Sequence, residues 1–305
     1  MIFASVSRPR LFSCFVALLA LLSATLSAQT APDIFDRVNL VAWCIVPFDT
    51  KKRGPEERAQ MLDRLGIKRL AYDYRAEHIP TWDAELDALK LHGIELTAWW
   101  FPASLNDEAK QALDLFRRHG VKPQLWITGG GAPAKDAAEQ TARVETEAQR
   151  VRSIAEAAVP LGCAVALYNH GGWFGEPENQ LAIIERLARD GVRNVGIVYN
   201  FHHGHDHLDR FAELWRQMQP HLLAVNLNGM VRDGDKLAKK IIPLGSGTEE
   251  LGMLRVIRES GWRGPVGILN HRPEVDAEEA LRGNLAGLER LVAELESQRT
   301  QRAAE

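Results

Sequence analysis

The sequence is short of the features that mark several common functional classes. Cysteine occurs three times in 305 residues, and no two cysteines form a CxxC pair, so neither a zinc ribbon nor a dithiol redox motif is present. Gly-x-Gly-x-x-Gly, the Walker loop and His-Glu-x-x-His are also missing, which removes the usual signatures of dinucleotide, nucleoside triphosphate and metalloprotease sites. Positive charge is not in excess: 37 basic residues face 40 acidic ones. Without a basic field to gather phosphates, nucleic acid is a poor partner. Only one stretch, Leu11 to Leu26, is apolar enough to concern a membrane.

That stretch follows Arg8 and Arg10 and leads to the small residues Ser27-Ala28 before Gln29. A basic flank, a short apolar run and a small-residue exit predict a secretory signal peptide over residues 1–28, the alternative being an uncleaved anchor. Its removal takes two arginines and leaves 35 basic against 40 acidic residues, a net charge of −5. The expected location is periplasmic or secreted. Cys14 leaves with the segment and lies too early for a lipoprotein anchor. Cys44 and Cys163 fall on strands across a barrel from one another, and two buried thiols are expected rather than a disulfide.

What the chain has in abundance is alternation. Hydrophobic residues make up 46%, enough for one large core. Short apolar strands are predicted at 38–46, 69–74, 95–101, 124–129, 164–170, 195–201, 222–228 and 265–271. Helices are predicted at 55–65, 81–92, 107–119, 136–159, 177–190, 207–219, 249–260 and 276–297. Eight such repeats imply a parallel sheet closed into a (β/α)8 TIM barrel, over residues 29–298, with a polar, frayed tail at 299–305. Glycines 120, 191 and 261 close helices, and Pro177 opens one. Gly129-Gly130-Gly131 after strand four reads either as a close approach to an anion or as a plain turn.

Barrel chemistry gathers at the carboxyl ends of the strands. Those ends carry Asp73, Trp99-Trp100, Asn169-His170, Asn200 with His202 and His203, Asn228, and Asn270-His271-Arg272. We expect His271, His203 and His170 to be catalytic, with His202 in reserve. Imidazoles titrate near neutral pH and can move protons or ligate metals. Asp73, Trp99, Trp100, Asn169, Asn200, Asn228 and Arg272 are expected to bind substrate, one of the two indoles offering a flat wall for a sugar ring. His205 and His207 are expected to cap the next helix or face water.

The stretches "GIKRLAYDYRAEHIPTWDAELDALKLHGIELTAWWFP", "VALYNHGGWFGEPENQLAII", "NVGIVYNFHHGHDHLDRF", "LLAVNLNGM" and "IIPLGSGTEELGMLRVIRESGWRGPVGI" resemble the xylose isomerase-like TIM-barrel proteins. These are the sugar phosphate isomerases and epimerases, especially a secreted bacterial branch, and the resemblance covers about residues 38–295. It implies a divalent cation, often manganese, held by Glu, Asp, His and a second Glu. The sequence departs from that pattern. Tyr168 stands for the first Glu, Asn200 for the Asp, and strand eight offers no carboxylate, while Asn169, His170 and His203 match. A hard cation loses most of its binding charge. A softer metal such as zinc on His170, His203 and His271 stays open. The implied activity is proton transfer alpha to the carbonyl of an unphosphorylated sugar or glycoside: isomerisation, epimerisation, or elimination and hydration of a keto-sugar. A sugar-binding barrel without catalysis is the alternative, and a phosphodiester hydrolase is a remote third.

Overall fold

The computed structural model describes Met1 and residues 33–304; the predicted signal peptide lies outside the described residues. Eight parallel strands close in sequence order: β1 Leu40–Trp43, β2 Arg69–Tyr72, β3 Glu95–Trp100, β4 Gln124–Ile127, β5 Val165–Tyr168, β6 Val195–Asn200, β7 Leu222–Leu227 and β8 Val266–Leu269. The ring shuts where Leu40 pairs with Val266 and Trp43 with Leu269. Helices α1 Pro55–Arg64, α2 Trp82–Leu91, α3 Asp107–His119, α4 Ala137–Ala158, α5 Gly172–Gly175, α6 Pro177–Arg189, α7 Phe211–Met218, α8 Glu250–Glu259 and α9 Ala277–Ala304 occupy the connections. Across the predicted tail after Glu296, α9 continues as helix to Ala304. Arg258 and Arg255, on α8, bind Glu296 and Gln298 where that stretch begins.

Strand residues alternate between two cores, as the period of two requires. The outer core lies between sheet and helices and contains Ala42, Tyr72, Trp99, Leu125, Leu167 and Ile197. The inner core fills the barrel itself with Val41, Trp43, Ala71, Ala98, Trp126, Ala166, Tyr168, Val198, Ala224 and Leu269. Large and small side chains trade space across this interior. The rings of Trp43 and Trp126 lie 3.9 Å apart between centroids, and room for them comes from the alanines and from Gly267. A Cβ on Gly267 would fall 2.4 Å from Trp43 Cε3. The barrel is thereby plugged with aromatic rings below its carboxyl-end mouth.

The glycine run after β4 serves packing. The amides of Trp173 and Phe174 donate to the carbonyls of Gly131 and Gly130, at 2.7 and 3.3 Å. Gly172, at φ 63°, has Gly131 O only 2.9 Å from where a Cβ would sit, so this backbone-to-backbone seat excludes a side chain. Cys44 and Cys163 are both buried and free.

Candidate functional site

Four imidazoles line up across the mouth. His170 follows β5 and His271 follows β8. His203 and His202 belong to the single 3-10 turn Phe201–His203 after β6. Ring centroids are 4.5 Å apart for His170 and His203, 3.8 Å for His203 and His202, and 5.2 Å for His202 and His271. The row ends on Phe48, stacked 4.0 Å from His271. Tyr168 supports it from beneath, 5.6 Å from both His170 and His203. The three expected catalytic histidines are therefore brought together. His202, expected only in reserve, is the link between them and is the most buried of the four.

Burial disfavours the charged form of every ring in the row. It holds His170 and His271 below the ordinary histidine value, His202 well below it, and His203 down to about 2. The cation of Lys240 adds to the effect at all four. At neutral pH the row is uncharged. His202 Nδ1 and His203 Nε2 are buried and lack a hydrogen-bond partner within the protein, so each is open to a ligand or water.

The amides behave differently. Asn169 clamps β5 to β6, accepting from Asn200 N at 2.7 Å and donating to Asn200 O at 3.1 Å. Asn228 donates to the carbonyls of Gly229 and Lys240, at 2.7 and 2.9 Å. Asn200 Oδ1 accepts from Asn226 and from the His202 amide, and its Nδ2 reaches the Tyr168 hydroxyl. These three asparagines were expected to bind substrate; Asn169 and Asn200 use both ends of their amides in shaping the mouth, and Asn228 uses its amide donor there. Trp99 is a plain correction. It faces the helices, packed against Tyr72, Trp82 and Phe116. Trp100, next along the strand, points inward beside Tyr168 and is part-exposed. The strand period leaves only one of the pair on each face, and Trp100 has the inner one.

Arg272 is half-buried next to His271. Asp73 lies at the mouth end of β2, fully buried, accepting from Val46 N at 3.4 Å. Desolvation pushes its carboxyl up to about 7, opposed by the Arg75 guanidinium. The two kinds of shift predict opposite pH dependences. An imidazole whose folded pKa is depressed destabilises the fold as pH falls below about 6.5, by up to about 1.4 kcal/mol per pH unit. Asp73, with a raised folded pKa, stabilises below the unfolded carboxylate value near 4 and loses that contribution as pH rises toward 7. Asp73→Asn keeps the acceptor for Val46 N and removes the charge. The variant should melt higher than the parent at pH 8, and the gain should shrink as pH falls and vanish only below the unfolded carboxylate value, by about pH 3.5. Equal melting differences at both values, followed by circular dichroism, would show that Asp73 is not desolvated.

His205 and His207 do not face water or cap a helix. His207 is buried between Tyr199 Oη, at 3.0 Å, and Glu176, at 3.2 Å. His205 sets Nδ1 2.9 Å from Val231 O and Nε2 3.0 Å from Lys240 O, tying down the loop after β7. Sequence reasoning also missed Phe48 and Lys240 at the mouth, while Arg75 falls in the polar group expected there after strand two. Lys240 precedes Ile241, whose side chain packs onto the inner-barrel cluster; that apolar residue within a charged loop was the available signal.

The residues present do not suit the cation that the resemblance implies. Tyr168 and Asn200, in place of carboxylates, bind one another and Asn226 as neutral groups, and burial drives the Tyr168 phenol well up. A hard divalent ion needs anionic oxygen. His170, His203 and His271 form a row with His202 interposed, not a shell around one point. Among the described residues no three His, Cys, Asp or Glu are placed to hold a metal ion, so the zinc expectation is not met by this arrangement.

Comparison with known proteins agrees with the fold. Three solved structures superpose over most of the chain. The 3-keto-D-glucoside 4-epimerase YcjR from E. coli has a TM-score of 0.61 at 15% identity, covering 83% of this chain and 99% of its own. The zinc-binding IolI protein gives 0.66 at 17% identity, covering 85% and 99%. AsbF of Bacillus anthracis, a probable 3-DHS dehydratase of petrobactin synthesis, gives 0.62 at 17% identity, covering 81% and 98%. No curated protein sequence matches. The sequence model of one family matches residues 42–291, and with the closed eight-stranded barrel this shows that the chain belongs to the xylose isomerase-like TIM barrel family.

Proposed function

We propose that the protein is a sugar-modifying enzyme that moves a proton on the carbon alpha to a carbonyl, as an isomerase, an epimerase, or a lyase or hydratase of a keto-sugar. The supporting observation is the row of four neutral imidazoles at the strand ends, above an aromatic floor. Proton abstraction from a carbon acid needs a base and a donor for the developing enolate oxygen. A neutral imidazole accepts through one nitrogen and donates through the other, so adjacent rings can fill both roles. Base strength follows pKa, and burial holds His203 down to about 2, which leaves His271, on the Phe48 side of the row, the better base of the two. His271 is therefore the base, and His202 or His203 donates to the oxygen. Trp100 supplies the flat apolar edge on which a pyranose face rests.

Three of the structurally similar proteins bear on this reading. YcjR is a keto-glucoside epimerase, AsbF a probable dehydratase, and a third is a D-tagatose 3-epimerase-like protein. We further propose that the reaction takes place outside the cytoplasm after cleavage near Gln29; the mass of the protein recovered from the cell envelope checks this. The chemistry is tested by incubating free ketoses, aldoses and 3-keto-glycosides with the protein in deuterium oxide and following exchange at carbon by NMR. Exchange with at least one class is expected. No exchange anywhere, together with sugars that raise the melting temperature, would make the chain a binding protein.

A further inference from the structure

Two cations bracket the imidazole row, and neither is built into the core. Arg75 is exposed, stands 5.4 Å over the Phe48 ring that stacks on His271, and donates Nη1 to the carbonyls of Asp73 and Tyr74 at 2.9 and 2.8 Å. Among the described residues it pairs with no carboxylate, which leaves Nη2 and Nε to donate outward. Lys240 approaches from the opposite side, on the loop after β7. Its backbone is fixed rather than loose: its carbonyl accepts from both His205 and Asn228, Ile242 bridges to Gly229, and Ile241 packs into the barrel. Its ammonium has one partner, Asp235 at 3.1 Å, in a pair 41% and 52% exposed. Such a pair is readily exchanged for a ligand anion. The floor between the two cations is neutral, and Asp73, the carboxyl at the mouth, is buried beneath it.

We propose that the substrate of this mouth is an acid, with an anionic group held between Arg75 and Lys240 while its sugar carbons face the imidazoles. A guanidinium that keeps two donors free and a mobile ammonium form a fork and a point charge, a combination that takes a carboxylate or a phosphate. The carboxylate of a uronic or aldonic acid is the source most compatible with an exported protein. The inference rests on the sugar-modifying reading for the rest of the ligand, but the anion site can be tested apart from it.

The full mature chain is titrated by calorimetry and thermal shift with D-glucose, D-glucuronate, D-gluconate, D-glucose 6-phosphate and the non-sugar anion malonate. Acidic sugars should bind and D-glucose should not, and raising salt should weaken the binding. Lys240→Met leaves the stapled backbone intact and should lose roughly fivefold in affinity for the acids, the factor carried by one well-placed ion pair. Arg75→Gln should lose a similar factor. Asp235→Asn frees Lys240 and should gain affinity, an outcome that a misfolded variant cannot imitate. Preference for the 6-phosphate over both carboxylates would reassign the anion to phosphate. Malonate binding as tightly as the acidic sugars would keep the anion site and sink the sugar reading. D-glucose binding as well as the acids, unchanged in all three variants, would sink the anion site and keep the sugar reading. No binding by any of the five would overturn both.

Discussion

His271→Asn should lower turnover by at least about a hundredfold, the usual loss on removing a general base, and should leave the fold almost as stable as the parent. The choice of asparagine matters. His271 sits at φ 50°, in the left-handed region where asparagine is among the best-tolerated residues and alanine is strained. Its ring is half-buried on Phe48, and no backbone group depends on it for a hydrogen bond among the described contacts. Deuterium exchange into the substrate is the direct measurement. The parent should lose activity as pH falls below the lowered pKa of this ring, because the protonated imidazole cannot accept, and should hold a plateau above it. A variant that retains the parent's exchange rate and its acid limb would move the base elsewhere in the row. His203→Asn is the paired control: its loss should fall on the rate and leave the acid limb in place, since His203 stays neutral down to about 2.

The barrel was legible because several strands are short, nearly continuous apolar runs and several helices end on a glycine. Gly120, for instance, closes α3 in the left-handed conformation at φ 65°. The positions of His170, His203 and His271 followed from the rule that polar residues at strand carboxyl ends face the mouth. Three things did not follow. The facing of Trp99 and Trp100 depends on one residue of strand phase, and both indoles satisfy the local pattern equally well. The destination of an asparagine amide is a matter of distance across the sheet: Asn169 and Asn200 are 31 residues apart and hydrogen-bonded, which no local pattern encodes. The third is the loop after β7. No local pattern in its charged residues shows that Ile241 turns it back onto the inner-barrel cluster and brings Lys240 with it. Long-range hydrogen bonds and loop packing, not element periodicity, decide what the mouth presents.

His205→Ala tests that point, and its effect should be on stability first. The ring is 6% exposed, lies against the backbone of Gly234, and spans two carbonyls nine residues apart in sequence, those of Val231 and Lys240. Removing it leaves a cavity and takes away the ring N–H that a neutral imidazole offers to one of these carbonyls, a loss of roughly 2–4 kcal/mol. In a domain of this size that corresponds to a melting temperature lower by roughly 5–12 °C. Asn228 still holds the Lys240 carbonyl, so the loop should loosen rather than detach. Hydrogen exchange should therefore speed up across residues 230–246 and stay slow in β1 to β6. Because the same loop carries Lys240 over the row, ligand affinity should fall as well, even though His205 itself is turned away from the mouth. His205→Gln, whose amide can donate to one of the two carbonyls, should recover part of the melting temperature. An alanine variant that melts with the parent and exchanges no faster would return His205 to the solvent-facing role suggested by the sequence, and would leave the placement of Lys240 without its main support.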